Sequence, residues 1–302
     1  MPTLIKSTSG IRGIVGDGLD STIAESYSKA FGTFVKKGKV VVGRDTRESG
    51  DMLKRAVLKG LSAVGIDVIY IGIVPTPTVE IAVKELKAKA GICITASHNP
   101  GEWNALKFFN NKGEFITSDE FERIEEIYQF ESFTLKPKKP GKIKNQSGWV
   151  EKHVRKTLAL KVLDKAAIKK RKLKIIIDAI NGAGSVALPI LLSRLIVKVV
   201  KINCKHNGDF VHEPEPIPKN LAQLGEAVRK HKADFGLACD PDADRLAIVD
   251  ENGIPLGEEL TLAIAVREVL RHKKGPVVIN LSTSIVTASE AAKAAVPLFY
   301  SK

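Results

Sequence analysis

One pattern constrains this chain more than any other. An aliphatic strand, a small polar turn, an amphipathic helix and a second aliphatic strand recur three times. In the first copy, Lys39-Val40-Val41-Val42-Gly43-Arg44-Asp45 reads as a short buried strand ending in a polar turn. Ser49 offers an N-cap, Leu53, Val57, Leu61 and Val64 mark one helical face, and Gly65 ends the helix before Val68-Ile69-Tyr70-Ile71. The second copy is Lys174 to Asp178, the turn Asn181-Gly182-Ala183-Gly184, a helix through Leu188 to Leu195, and the strand Val197 to Ile202. The third is Val277 to Asn280, a Ser/Thr turn, a helix near Ile285 to Ala295, and Leu298-Phe299-Tyr300. The copies start on the order of a hundred residues apart, which is domain spacing rather than solenoid spacing. Strands alternating with helices predict α/β domains whose mixed sheets are covered by helices.

At one domain per roughly 100–200 residues, the 302 residues make two domains or three. The pattern divides them into a first domain over 1–148, a second over 149–252 and a partial third over 253–302. Thr134 to Gly148, rich in Lys, Pro and Gly and without periodicity, reads as the exit from the first domain. Its Pro137-Lys138-Lys139-Pro140 reads as an exposed connector rather than a nuclear-localisation signal. Asp119 to Gln129 is a predicted helix, with acids in its first turn and Phe121, Ile124 and Tyr128 on one face. Asn252-Gly253 predicts a hairpin closing Leu246 to Val249 against a following strand.

A hydrophobic content of 44% and a charged content of 27% are those of a globular protein and exclude collagen, a disulfide scaffold and wholesale disorder. No apolar run reaches the ~18 residues a membrane span needs, and Met1 to Lys6 lack the apolar region of a signal peptide. Cys93, Cys204 and Cys239 form no C-x-x-C pair, which predicts reduced, mostly structural thiols and a cytoplasmic location. The net charge is +13. The basic residues fall in short clusters (Lys36 to Lys39, Lys136 to Lys144, Lys169 to Lys174, Arg271 to Lys274) without interleaved aromatics. That is the pattern of a solvated surface, not of a nucleic-acid groove, and it also suits a small anionic substrate.

Three clusters carry chemistry. Thr95-Ala96-Ser97-His98-Asn99-Pro100 follows the apolar strand Gly91 to Ile94. On its own it reads as a polar turn broken by proline, or as an exposed hydroxyl placed to react. No G-x-S-x-G elbow surrounds Ser97, which disfavours an α/β-hydrolase, whereas a hydroxyl can accept a phosphoryl group. Asp240-Pro241-Asp242-Ala243-Asp244-Arg245 lies between two apolar strands. Three carboxylates alternating in a tight loop repel one another unless a cation sits among them, and Mg²⁺ is the natural hard cation. The spacing mimics an EF-hand, but Arg245 stands where the calcium loop must have glycine. The third cluster is cationic: Arg12 between Gly10 and Gly13, Arg44 and Arg47 after a strand, and Lys107 shortly after the serine loop. Singly each is a surface charge; together with Ser97 and the aspartates they describe a phosphate site.

In this order, Gly-Ile-Arg-Gly, Gly-Arg-Asp-Thr-Arg, Thr-Ala-Ser-His-Asn-Pro and Asp-x-Asp-Ala-Asp-Arg resemble the α-D-phosphohexomutases, the family of phosphoglucomutase/phosphomannomutase and phosphoglucosamine mutase. The resemblance runs from about Ile5 to the last residue and implies repeated mixed-sheet α/β domains of phosphohexomutase type. It implies that Ser97 carries a phosphoryl group and that Asp240, Asp242 and Asp244 hold Mg²⁺ together with a phosphoserine oxygen. It further implies that Arg12, His98, Lys107 and Arg245 line the reacting centre, with Lys107 and Arg12 as acid/base candidates. As a base, Lys107 would need a depressed pKa, which a neighbouring cation such as Arg12 would provide. The implied reaction moves a phosphoryl group between O1 and O6 of a hexose phosphate, through a hexose 1,6-bisphosphate that also serves as activator. Ala105, where many members have glycine, is frequent in phosphoglucosamine-mutase-like sequences. Members have four domains. The Gly-Glu-x-Ser-Gly sugar loop of the third and the Arg-Thr-Ser-Gly-Thr clamp of the fourth do not occur here; Gly257-Glu258-Glu259-Leu260 comes too early. The expectation is therefore an incomplete third domain, little mutase turnover by this chain alone, and as the alternative a non-catalytic phosphoprotein that binds Mg²⁺ and phosphate.

Overall fold

A computed structural model describes residues 3–134 and 139–301. Pro137 and Lys138 of the basic connector, with Lys136 before them, lie outside the described residues.

The first unit contains strands β1 (Ile5–Ser7) and β2 (Gly10–Ile14), helix α1 (Ser21–Val35), β3 (Lys39–Arg44), α2 (Gly50–Ala63), β4 (Asp67–Ile73), α3 (Thr76–Glu85), β5 (Ala90–Ile94), β6 (Trp103–Phe109), α4 (Ser118–Gln129) and β7 (Ile143–Asn145). Its strands form one sheet in the order β1-β2-β6-β5-β3-β4-β7. Strands β5, β3, β4 and β7 run parallel, while β6 and β2 join antiparallel. The unbroken aliphatic run of β3 follows from burial on both faces. Val40 and Val42 pack with Phe31, Leu53 and Phe121 of α1, α2 and α4, whereas Val41 packs with Val79 and Val83 of α3 on the other side.

The second unit contains α5 (Trp149–Leu158), α6 (Lys165–Arg171), β8 (Lys174–Asp178), α7 (Gly184–Arg194), β9 (Lys198–Ile202), α8 (Ala222–His231), β10 (Phe235–Cys239) and β11 (Leu246–Val249), with sheet order β11-β10-β8-β9. Helix α5 joins the two units: Trp149, Val150 and Val154 lie in the same cluster as Val79 of α3 and as Val186 and Ile190 of α7. The third copy of the repeat is α9 (Glu258–His272), β12 (Val277–Asn280), α10 (Ile285–Lys293) and β13 (Leu298–Ser301), with β12 and β13 paired in parallel. No helix among the described residues is long and apolar enough to cross a membrane.

Two local expectations are corrected. Ser49 does not cap α2 with its side chain; its hydroxyl instead accepts a hydrogen bond from Asn104 Nδ2 at 2.9 Å, tying α2 to the strand after the serine loop. The turn at Asn252-Gly253 forms, but β11 gains only an isolated bridge from Val249 to Pro255. Pro255 has no N–H to extend a ladder, so no second strand grows from the turn.

Candidate active site

The C-terminal ends of β5 and β10 face each other across the first two units, and each carries one of the polar loops. Ser97 follows β5 and sits at φ 53°, in the left-handed region that a non-glycine residue occupies only when its surroundings enforce it. Those surroundings are explicit. Ser97 N donates to Thr95 Oγ1 at 3.0 Å, and Thr95 Oγ1 donates to Asp45 Oδ2 at 2.7 Å. The guanidinium of Arg47 donates to the carbonyls of Ser97 (2.7 Å), Asn99 (2.6 Å), Pro100 (2.5 Å) and Trp103 (2.9 Å) while paired with Asp45 at 3.1 Å. Arg47 is therefore an internal brace of the serine loop. Arg44 is likewise held, donating to the carbonyl of Asp45 and to Tyr70. Neither is one of the phosphate-facing cations that the sequence suggested. Asp45 stands two residues before Arg47 in the chain and is buried with it, a circumstance the sequence does not reveal.

Across the gap, Asp240 Oδ2 accepts from Ser97 Oγ at 2.8 Å. Asp240, Asp242 and Asp244 each offer an oxygen within 4.8 Å of the others. Ala243, between the last two, is also left-handed, at φ 52°, which folds the loop tightly enough to converge the carboxylates. Gly182 lets the β8–α7 turn press on the same loop, since a Cβ there would lie 2.6 Å from Pro241. The loop fits a hard divalent cation on two counts. Asp242 is fully buried, yet its Oδ1 has no hydrogen-bond partner. Burial, with Asp242 and Asp244 alongside, also pushes the Asp240 pKa well up, the sign of negative charge crowded into the loop.

Lys107 reaches this loop from β6, with Nζ 2.7 Å from Asp242 Oδ2 and 3.1 Å from Asp244 Oδ2. Burial alone would lower its pKa, but the two carboxylates outweigh burial and raise it. The depressed pKa expected for a lysine base is thus not what this arrangement provides; Lys107 is held as an ammonium. Arg12 projects from β2 beside it and donates to Asn99 Oδ1 at 2.8 Å. Gly10 is required not by a ligand but by packing, because at φ 119° a Cβ would fall 1.9 Å from the Leu106 carbonyl oxygen. Ser9, Arg12, Thr95, Ser97 and Lys107 line a cavity of about 40 Å³. His98 Nδ1 lies 3.4 Å from Ser97 Oγ, and burial followed by the Arg245 charge lowers its pKa, so the imidazole is neutral near pH 7. Arg245 pairs with Glu215 at 2.9 Å and, with Asp244, lines a cavity of about 400 Å³ beside α9.

Several contributors escape a reading of the sequence alone. Thr76, at the start of α3, donates to Asp242 Oδ2 at 2.5 Å. Glu80, one turn further, has its pKa pushed up to about 7 by burial and then by the charge of Asp244. Phe210, from the segment between β9 and α8, lies with its ring 4.9 Å from the Arg47 guanidinium carbon. None of these stands in a recognisable motif, and each meets its partner only through the docking of the two units.

Comparison with known proteins identifies the family. Residues 3–135 match the family model for alpha/beta/alpha domain I of phosphoglucomutase/phosphomannomutase, and residues 151–253 match that for domain II. A probable phosphoglucosamine mutase of Pyrococcus abyssi is 40% identical over 273 residues, covering 90% of this chain and 59% of that protein. A phosphoglucomutase/phosphomannomutase of Thermococcus kodakarensis is 39% identical over 289 residues, covering 93% of this chain and 62% of that protein. The chain thus spans about three fifths of the length of these curated relatives. Among solved structures, a putative phosphomannomutase from Thermus thermophilus superposes with a TM-score of 0.87 at 26% identity, over 99% of this chain and 69% of that one. A phosphoglucomutase/phosphomannomutase family protein from Burkholderia thailandensis gives 0.82 at 26% identity, over 99% and 67%. The serine loop facing an aspartate loop, on two successive mixed-sheet units that each match a domain of one family, places the chain in the phosphoglucomutase/phosphomannomutase family.

Proposed function

We propose that this chain carries the phosphoserine and metal half of a phosphohexomutase, which interconverts hexose 1-phosphate and hexose 6-phosphate. The observation that carries this reading is Ser97: a left-handed, loop-enforced serine whose Oγ lies 2.8 Å from an aspartate of the only three-carboxylate cluster found among the described residues. Asp240, Asp242 and Asp244 would hold Mg²⁺, which when bound neutralises charge on the transferring phosphoryl group. The chain's own residues do the rest. Arg47, Asp45 and Thr95 fix the Ser97 backbone, so its Oγ points at one place. Phosphoserine 97 gives its phosphoryl group to a free sugar hydroxyl: the P–Oγ bond breaks, a P–O bond to the sugar forms, and the hydroxyl proton must leave to a base. Hexose 1,6-bisphosphate is the product of that half-reaction and the agent that recharges Ser97. Lys107 and Arg12 line the Ser97 cavity and supply positive charge to the phosphoryl oxygens. As arranged, Lys107 is a proton donor; it can become a base only once the aspartates it neutralises are otherwise compensated. His98, with Nδ1 3.4 Å from the Oγ, is a neutral imidazole beside the leaving oxygen that can carry a proton. Names of relatives favour phosphoglucosamine, phosphomannose or phosphoglucose as the sugar.

The test is mass spectrometry of the Ser97 peptide after incubation with glucose 1,6-bisphosphate and Mg²⁺. Phosphate on Ser97 is expected, and its absence after Ser97→Ala. Phosphate confined to other residues, with Ser97 bare, contradicts the assignment.

A further inference from the structure

We infer that Thr76 is a positioning residue for the metal loop, a clamp from the first unit that fixes which oxygen of Asp242 is free for a cation. The inference rests on the metal-binding reading above and adds a residue that neither the motifs nor the aspartate cluster contain.

Three observations converge on it. Helix α3 has no local side-chain cap: its N-cap position is Pro75, and Pro77 in its first turn brings no N–H. The free N–H of Thr76 donates instead to the backbone carbonyl of Asp242 at 2.9 Å, so a loop 166 residues away caps the helix. The hydroxyl of Thr76 then donates to Asp242 Oδ2 at 2.5 Å, and Lys107 Nζ reaches the same oxygen at 2.7 Å. Both partners of Oδ2 come from the first unit. Oδ1 has none and is fully buried. A carboxylate gripped at one oxygen by a hydroxyl and an ammonium, on a residue whose backbone carbonyl is held by the Thr76 N–H, cannot rotate, so its other oxygen is presented in a fixed direction.

Thr76 is itself held. It is 2% exposed, and its Oγ1 lies 3.4 Å from Cys93 Sγ. Its proton is committed to the carboxylate, so Oγ1 is an acceptor for the thiol. Cys93 lies on β5, two residues before Thr95. The strand that leads into the serine loop thus touches the residue that orients the aspartate loop. Only a hydroxyl fits the part: it must donate to Asp242 and accept from Cys93 at once.

The experiment measures Mg²⁺ binding by calorimetry for the purified chain and for Thr76→Val, Thr76→Ser and Thr78→Val, with thermal unfolding of each in the absence of metal. Thr78 is the control. It is fully buried on the same turn of α3 but bonds His153 at 2.9 Å rather than the metal loop. Loss of an oriented partner typically weakens metal binding about 10–100-fold. Thr76→Val is expected to fall in that range and Thr76→Ser to stay within a factor of about two of the parent, since its hydroxyl is intact. Thr78→Val is expected to lose stability but keep its Mg²⁺ affinity. If the valine variant does not fold, Thr76→Ala against Thr76→Ser makes the same comparison. Parent-like affinity in Thr76→Val or Thr76→Ala, or equal weakening in Thr78→Val, overturns the positioning role while leaving the metal reading intact. Absence of Mg²⁺ binding in the parent chain instead overturns the metal reading, and the clamp with it.

Discussion

At the scale of single residues, the site depends on side chains whose roles are set by what they touch. Arg47 shows this most sharply. Its buried head spends its donors on four carbonyls and one buried carboxylate. Removing it leaves Asp45 as an unpaired buried charge, so Arg47→Ala should cost about 3–5 kcal/mol in chemical denaturation. Arg47→Lys should also be damaging, because an ammonium cannot reach four carbonyls from one plane. A loss under about 1 kcal/mol would contradict the brace. Asp240 gives a second test. Its pKa is raised by burial and by the two neighbouring aspartates, so it keeps its proton to higher pH than an ordinary aspartate, and a bound cation must displace that proton. Mg²⁺ affinity should therefore rise with pH, and calorimetry in buffers of different ionisation enthalpy should show proton release. Asp240→Asn should weaken binding and abolish that release; pH-independent binding by the parent would contradict the crowding argument.

At the scale of elements, the segment between β9 and α8 acts as a strap. It places Phe210 over Arg47 and Glu215 against Arg245, and Gly208 lies so close to Thr46 that a Cβ would meet its carbonyl oxygen at 2.2 Å. His212 anchors the strap, with Nε2 3.1 Å from the buried Asp178 and Nδ1 2.8 Å from the Glu213 carbonyl. Burial works to lower the His212 pKa, but the Asp178 carboxylate and the Glu213 carbonyl outweigh it and raise it. A histidine with a raised folded pKa adds stability that is fully present below its ordinary value near 6.5 and is lost as pH rises through the folded value. His212→Gln should therefore destabilise the chain in mildly acidic buffer and approach the parent under alkaline conditions. A loss of equal size at both ends would show that His212 is held by packing alone. The strands were legible in the sequence because burial on both faces leaves an uninterrupted aliphatic run, as in Val40-Val41-Val42. The strap was not, because its anchors are single polar residues in a segment without periodicity.

At the scale of the whole molecule, the centre is divided between two units that each fold around their own sheet. Ser97, Lys107 and Thr76 come from the first; Asp240, Asp242 and Asp244 come from the second. The two loops could be recognised in the sequence because each packs unusual residue types into six positions. Their partnership came from the family resemblance and not from their spacing, because Ser97 and Asp240, like Thr76 and Asp242, meet only where α5 joins the two units. The same limit explains the reading of Arg44 and Arg47 as phosphate cations: an arginine after a strand looks alike whether it faces solvent or the underside of a loop. If the reacting centre is one site built across that junction, a phosphoryl group on Ser97 should add an oxygen ligand to a loop that by itself supplies about three of the six that Mg²⁺ prefers. The most direct measurement is therefore the Mg²⁺ affinity of the chain with Ser97 phosphorylated and with Ser97 bare, by titration calorimetry under identical conditions. Tighter binding by the phosphorylated form, weakened in both forms by Asp242→Asn, is the expected result; identical affinities would mean that serine and aspartates do not share a cation.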